Sequence, residues 1–428
     1  MPDVVATNQT ILVVGGGISG MTAALEAAEC GKDVILIEKN PSLGGRVSQL
    51  YKYFPKMCHP TCGMEVNLRR IKANRNVRVM TMAEVTEVKG NTGDYAVNIK
   101  LSPRYVNSNC TACGACNEAV EAEFADEYNY GLNKRKGAYL PFFMAYPQHY
   151  VIDPRLIGTP DADKAKEACK YDAINTDMSE ETLTINVGAI IWATGWKPYD
   201  ANKIQPYAYD RVPNVITSVE LERMMAQTGP TGGKILRPSD GKEAKDIAFI
   251  QCAGSRDHNY LKHCSRICCT ATLKQTTYLR ERYGDEGKAT VYYIDIRAID
   301  RFEDLYTKAK ADNTVNFVKS KVANVTLDKA TGNPILYGVD TEGYNRYNNT
   351  HDLVVLAIGM EPSLDFKGLG LDVTVNEHGF MENDPKNGGM FAAGCASDAL
   401  DVNRAVQSAT AGAMRAIQVV NQIAAAEG

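Results

Sequence analysis

ILVVGGGISGMTAALEAAECGKDVILIEK, residues 11–39, is the stretch that decides the fold. Ile11 to Val14 read as a short aliphatic strand, Gly15-Gly16-Gly17-Ile18-Ser19-Gly20 as a tight turn, and Met21 to Cys30 as a helix. Val34 to Ile37 form a second strand, closed by Glu38. A GxGxxG turn between strand and helix, with an acid about twenty residues downstream, predicts a dinucleotide site. Its glycines let the backbone approach a pyrophosphate, and the helix N-terminus offers unpaired N–H groups and a positive dipole end. Glu38 is expected to hold a ribose hydroxyl, with Ile18, Ser19 and Lys39 completing that arm.

The next turn selects the nucleotide. Leu43-Gly44-Gly45-Arg46 resembles the extended FAD fingerprint of two-dinucleotide-binding flavoproteins, so FAD is expected rather than NAD. AIIWATG, ending in Ala193, Thr194 and Gly195, resembles the strand and turn by which such chains return to the FAD domain, and VVLAIG, ending at Gly359, repeats the pattern. MFAAGCASD, from Met390, resembles the late flavin-binding strand, with Gly394 in place and Cys395 where an aspartate is usual; Asp398 is its expected substitute. A helix from Asn403 onward would face the flavin pyrimidine, and Val85 joins the expected binding set. The predicted fold class is therefore α/β, a thioredoxin-reductase-like flavoprotein with two dinucleotide-binding domains.

In such a fold a second glycine turn should follow the strand Asp246 to Ile250, but the chain continues QCAGSRDHNYLKHCSRICC, residues 251–269. Four of the twelve cysteines, Cys252, Cys264, Cys268 and Cys269, lie in this run. Adjacent cysteines bridge each other poorly, whereas both can ligate different irons of one cubane, so a 4Fe–4S cluster is expected in place of an NAD(P) site. Disulfide-paired or merely buried cysteines are the alternative, without a secretory context to favour them. Zinc is another, without a CxxC pair or nearby CxxH spacing.

A third motif lies at Cys110-Thr111-Ala112-Cys113-Gly114-Ala115-Cys116. This is C-x2-C-x2-C, the first three ligands of a bacterial ferredoxin motif, with Val120 at the fourth position. EACKYDAI, containing Cys169, resembles the close of a ferredoxin's second motif, but Thr159, Ala162 and Ala165 stand where its other cysteines would be. Four ligands remain, so Cys110, Cys113, Cys116 and Cys169 are expected to hold a second 4Fe–4S cluster in a degenerate ferredoxin-like insert, the alternatives being a structural relic or a three-cysteine zinc site. Cys30 reads as core. Cys58 and Cys62 form a CxxxC pair that is either redox active or lines the flavin pocket.

These motifs divide the chain into 8–105, the first part of an FAD-binding domain; 106–180, the insert; 181–210, a return segment; 211–350, a second Rossmann-like domain with an iron–sulfur site; and 351–428, the last part of the FAD-binding domain. At 428 residues there is room for several cores, and a formal net charge of −4 without a basic patch gives no sign of a nucleic-acid partner. The N-terminus, MPDVVATNQT, has no charged leader followed by an apolar run, and no apolar stretch approaches the roughly 20 residues a membrane helix requires, so a cytoplasmic chain is expected.

The order of FAD fingerprint, CxxxC, PRYV with the ferredoxin-like insert, AYLPFFMAYPQHYVIDP, ATGW, QCAGSRD, CSRICC and AAGC resembles the A-subunit family of heterodisulfide reductase across nearly the whole chain. Members are typically longer, with a further ferredoxin-like part, whereas this sequence stops after the helix Arg404 to Glu427; its compact form resembles the branch serving the quinone-interacting membrane-bound oxidoreductase of sulfate reducers. The resemblance implies an FAD and iron–sulfur electron-transfer oxidoreductase subunit with no catalytic residue acting alone on a small substrate. It implies partners: a B-type subunit with flavin and iron–sulfur groups, a haem-bearing C-type membrane subunit that provides the only membrane contact, and adenylylsulfate reductase as acceptor from the menaquinone pool, with electron bifurcation or confurcation as a mode. The competing expectation is a self-sufficient FAD-dependent disulfide reductase using Cys58 and Cys62.

Overall fold

The computed structural model describes residues 6–427; residues 1–5, half of the N-terminal segment tested for a leader pattern, lie outside them. Among the described residues no helix is long and apolar enough to cross a membrane. Five parallel strands in the order Met390–Ala392, Ala189–Trp192, Ile11–Val14, Val34–Glu38, Val77–Thr81 form the first sheet. Side chains on a strand alternate between faces, and the central strand shows it. Ile11 and Val13 pack beneath two helices, Ile18–Glu29 and Val402–Glu427, while Leu12 and Val14 face the other way, toward Ile35, Val97, Ile99 and Trp192. Ala409, Ala413, Ala416 and Val420, all fully buried, give the long helix an apolar stripe of helical period, small enough to lie close to the alanine-rich first helix. Cys30, expected in the core, follows the end of that first helix and is exposed.

The opposite face is covered by an antiparallel sheet of Ala83–Asn91, Asp94–Leu101 and Glu181–Val187. The insert emerges between the last two of these strands and carries its own core. Within it, Val120, Ala162 and Ala165, standing where ferredoxin cysteines would be, are buried together against Ile152 and Leu156. Apolar packing has filled the space a further cluster would need.

A second parallel sheet, ordered Val215–Thr217, Leu353–Ile358, Asp246–Ala253, Lys288–Tyr293, Val315–Lys319, forms the other dinucleotide-type domain. It shifts two expectations. Strand Leu353–Ile358 lies inside this sheet, so the return to the FAD domain comes after it and not at residue 351. Tyr199, Ala201, Ile204 and Tyr207 also pack in this domain's core, which moves the earlier boundary from 210 toward 199. The crossing points are the paired short strands Trp196–Pro198 and Met360–Pro362.

Candidate functional site

The glycine turn brings backbone to within contact of backbone. A Cβ on Gly20 would stand 1.7 Å from the Gly15 carbonyl oxygen, and one on Gly45 would stand 2.8 Å from Gly17 Cα, so both approaches exclude any side chain. Above them opens a cavity of about 890 Å³, within the range of cofactor sites. Of the residues expected to bind a dinucleotide, Gly15, Gly17, Ile18, Ser19, Glu38, Lys39, Gly45, Arg46, Val85, Ala193, Thr194, Gly195 and Cys395 line it. Glu38 is buried and oriented: one carboxylate oxygen accepts from Gly16 N at 2.7 Å and the other from Asn40 N at 2.8 Å and Asn40 Nδ2 at 2.6 Å. Burial raises its pKa against those hydrogen bonds. Trp192 Nε1 and Thr194 Oγ1 are buried on residues lining the cavity without a protein partner, as polar atoms awaiting a ligand would be. A long polar ligand with an anionic centre fits this cradle, and FAD is such a ligand.

Other expectations change. Gly20, Gly44 and Gly394 act behind the wall: a Cβ on Gly394 would meet Ser19 Oγ at 2.0 Å. Gly359 is not at the FAD cavity; it lies where the second sheet meets the cysteine loop, enclosed by Leu261, Ser255 and Ser265. Asn403 is exposed, and Val402 and Ala405 present the helix start to the cavity instead. Asp398 pairs with Arg266 at 3.3 Å, whereas Asp401 lines the cavity and caps the helix by accepting from Arg404 N at 3.0 Å. Cys395 is buried, its thiol donating to Leu400 O at 3.4 Å and pushed by burial up to about 11. Arg46 is held by Trp196 O, Gln49 and Tyr130.

The second sheet's crossover is built differently. Strand Asp246–Ala253 loses register between Ile250 and Ala253, and Cys252 there takes a left-handed φ of 52°. Residues 254–267 then form a loop that delivers Cys264 and ends at helix Cys268–Tyr283, whose first two residues are Cys268 and Cys269. The four thiols stand within reach of one another's charge: beyond burial, Cys252, Cys269 and Cys264 each push the Cys268 thiol further up, and burial carries Cys269 up to about 11. Cys268 also lines the FAD cavity, with Ile267, Ala271, Lys274 and Gln275 of the same loop and helix. Cys268 and Cys269 occupy the first turn of this helix, where backbone N–H groups have no partner within the helix.

In the insert, Cys110, Cys113, Cys116 and Cys169 line one small cavity with Val106, Tyr150, Tyr171 and Ile174. Cys116 is buried and pushed up to about 11 by burial, then by Cys110, with Cys169 and Cys113 adding to it. Cys113 is exposed. Both four-sulfur donor sets suit iron or another thiophilic metal. Among the described residues no three His, Cys, Asp or Glu side chains converge as ligands of a single ion do. A cubane interposes iron and sulfide between its thiolates, so its ligands stand wider apart than those of one ion.

Some cavity residues carry no signal that the motifs above use. Lys274 and Glu222 form a buried ion pair at 2.8 Å on the cavity wall. Glu222 also accepts from Tyr51 N, Gln275 Nε2 and Tyr278 OH, and Lys274 donates to Lys52 O at 2.6 Å, which ties the second domain to the FAD domain. Helical spacing from Cys268 to Ala271, Lys274 and Gln275 is the signal that would have found that face. The insert contributes Tyr128 and Phe142, stacked at 5.2 Å. Cys58 and Cys62 are exposed and lie off the cavity wall.

Comparison with known proteins agrees with this architecture. The model of the FAD dependent oxidoreductase family matches residues 10–112. Thioredoxin reductase of T. acidophilum (TM-score 0.54, 12% identity, 97% of this chain and 99% of that one) and the bacillithiol disulfide reductase of Bacillus cereus (0.53, 12%, 97% and 99%) share the fold. The iron-sulfur A subunit of a CoB–CoM heterodisulfide reductase of Methanopyrus kandleri is 39% identical over 95% of this chain and 63% of its own length. For the A subunit of the H2:CoB–CoM heterodisulfide,ferredoxin reductase of Methanothermobacter marburgensis the values are 35%, 96% and 64%. The chain thus spans less than two thirds of the length of these relatives. Over nearly all of its own length, it is similar to heterodisulfide reductase A subunits.

Proposed function

We propose that this chain is an FAD and iron–sulfur electron-transfer oxidoreductase subunit. The observation that carries this is Cys268, which belongs to a four-cysteine crossover and also lines the FAD cavity. FAD takes up electrons in pairs, and iron–sulfur clusters pass them on singly. Around those groups the chain's own residues bind, orient and exclude water. The glycine turn and Glu38 would hold the ADP half, and Asp401 and the helix start at Val402 line the part of the cavity left for the flavin. Cys252, Cys264, Cys268 and Cys269 would hold one 4Fe–4S cluster, and Cys110, Cys113, Cys116 and Cys169, of which Cys113 is exposed, would hold another. Cys58 and Cys62, away from the cavity, lend no support to a self-sufficient disulfide reductase.

Within the family we assign the chain to the complex that links the menaquinone pool to adenylylsulfate reductase, with a B-type subunit bearing flavin and iron–sulfur groups and a haem-bearing C-type membrane subunit, and with paired electrons divided or merged at the flavin. Anaerobic purification should yield about one FAD and about eight irons per chain, and Cys268→Ser should keep the flavin and lose about four irons. Flavin without iron would overturn the relay. A purified complex that reduces adenylylsulfate reductase from a menaquinol would support the sulfate-respiration assignment, and one that reduces only a heterodisulfide would remove it.

A further inference from the structure

The cysteine crossover carries two arginines that stand in different relations to its sulfurs. Arg256 sends its guanidinium to the site: Nη1 lies 3.9 Å from Cys252 Sγ and pairs with Asp295. Arg266 approaches only with its backbone, N donating to Cys264 Sγ at 3.4 Å, while its guanidinium turns away to Asp398. Arg256 is held in a left-handed backbone, φ 59°, which is unusual for any residue with a side chain. Its N–H donates to His263 O at 3.2 Å, and the preceding Ser255 N donates to Cys252 O at 3.0 Å, so the turn that carries the arginine is braced by the loop that carries the cysteines. Asp295 completes the arrangement. Its side chain joins Arg256 and Arg297, the latter at 3.0 Å, and its main-chain oxygen accepts from the Cys269 thiol at 3.8 Å. Two guanidinium groups and one carboxylate leave a net positive charge beside Cys252 and Cys269.

We propose that Arg256, with Asp295 as its partial counter-charge, is a positioning residue that raises the reduction potential of the cluster held by Cys252, Cys264, Cys268 and Cys269. This rests on the iron–sulfur reading of those cysteines. Reduction adds one electron, taken from flavin or a partner, to a thiolate-ligated group that is already negative. A hydrogen bond and a positive charge at a ligand sulfur stabilise the reduced form more than the oxidised one. The two members of the pair therefore act with opposite sign. Replacing the arginine by a neutral amide takes away the stabilising charge, whereas neutralising the carboxylate leaves the arginine's charge uncancelled.

The test is a mediated reductive titration of the purified holoprotein followed by electron paramagnetic resonance, using the signal that disappears in Cys268→Ser. Arg256→Gln should keep its iron and titrate lower, the reduced-to-oxidised ratio at a fixed poise falling about tenfold, which is about 59 mV for one electron. Asp295→Asn should titrate higher, and Arg256→Lys should lie between wild type and Arg256→Gln. Arg256→Gln with full iron and an unshifted or raised potential overturns the proposal, as do the Arg256→Gln and Asp295→Asn variants moving together. A wild-type protein with no such signal sinks the cluster reading itself, a separate outcome.

Discussion

Each of the two parallel sheets sends a central strand into a helix at the same topological place, yet the crossovers have opposite contents. After Val14 only Gly15, Gly16 and Gly17 intervene before helix Ile18–Glu29, and the backbone itself is the ligand surface. After Ala253 the whole of residues 254–267 intervenes, and four cysteines, Cys252, Cys264, Cys268 and Cys269, are gathered at the crossover. A parallel sheet creates a crevice at its strand ends whatever lies there, and the turn decides what the crevice holds. One turn removes side chains so that an anion can approach N–H groups; the other is longer and carries thiols, the soft donors that the proposed cluster would need.

The largest way to break the comparison is at the tight turn. Gly20→Val would drive a side chain into the Gly15 carbonyl, and the expected result is a loss of stability of about 3 kcal/mol or more with no flavin retained, read by thermal melting and flavin fluorescence. At the other crossover, Gly359→Val would push Leu261, Ser255 and Ser265 out of place. About four irons, one cluster's worth, should be lost with flavin retained, and full iron content would show that the loop does not depend on its packing against the second sheet.

The smallest effect is expected at Glu38→Gln, which keeps the size of the side chain and removes its charge. Charged hydrogen bonds of this kind are worth about 1.5–3 kcal/mol, so FAD affinity should fall about 10- to 100-fold in a calorimetric titration of apoprotein. The pH dependence has a defined sign. Burial raises the Glu38 pKa in the folded state, so between the unfolded and folded values the folded chain binds more protons than the unfolded one. Apoprotein stability must then fall as pH rises through that window, and Glu38→Gln should flatten the fall.

Much of this is legible in the sequence because glycine and cysteine do jobs that few other residues can. The GxGxxG turn, the cysteine loop and the insert's first three thiols read directly from spacing, and Cys169 from the likeness of its segment to a ferredoxin's closing motif. Gly359 does not, for a physical reason: strand Leu353–Ile358 is buried on both faces, so its run of aliphatic residues carries no alternation to say which sheet it joins. Asp401 is hidden behind Asp398 because only the conformation of the preceding loop settles which acid turns inward. Lys274 is hidden because a lysine in a helix usually reaches solvent, and its burial depends on Glu222, far earlier in the chain.

The bracing of the cysteine loop also sets how much of the chain must exist before each part can be completed. The insert can close on itself once residue 174 has emerged, since its thiols and buried core lie between 106 and 174. The cysteine crossover waits for residue 360, because the Cys268 thiol donates to Ile358 O and Met360 N to Ser265 Oγ. The FAD cavity is last, lacking a wall until Asp401, Val402 and Ala405 have left the exit tunnel. The insert's four thiols and its core are therefore all present in the chain well before the last wall of the FAD cavity, and a chain ending just short of Asp401 would have a complete insert and an open nucleotide cavity.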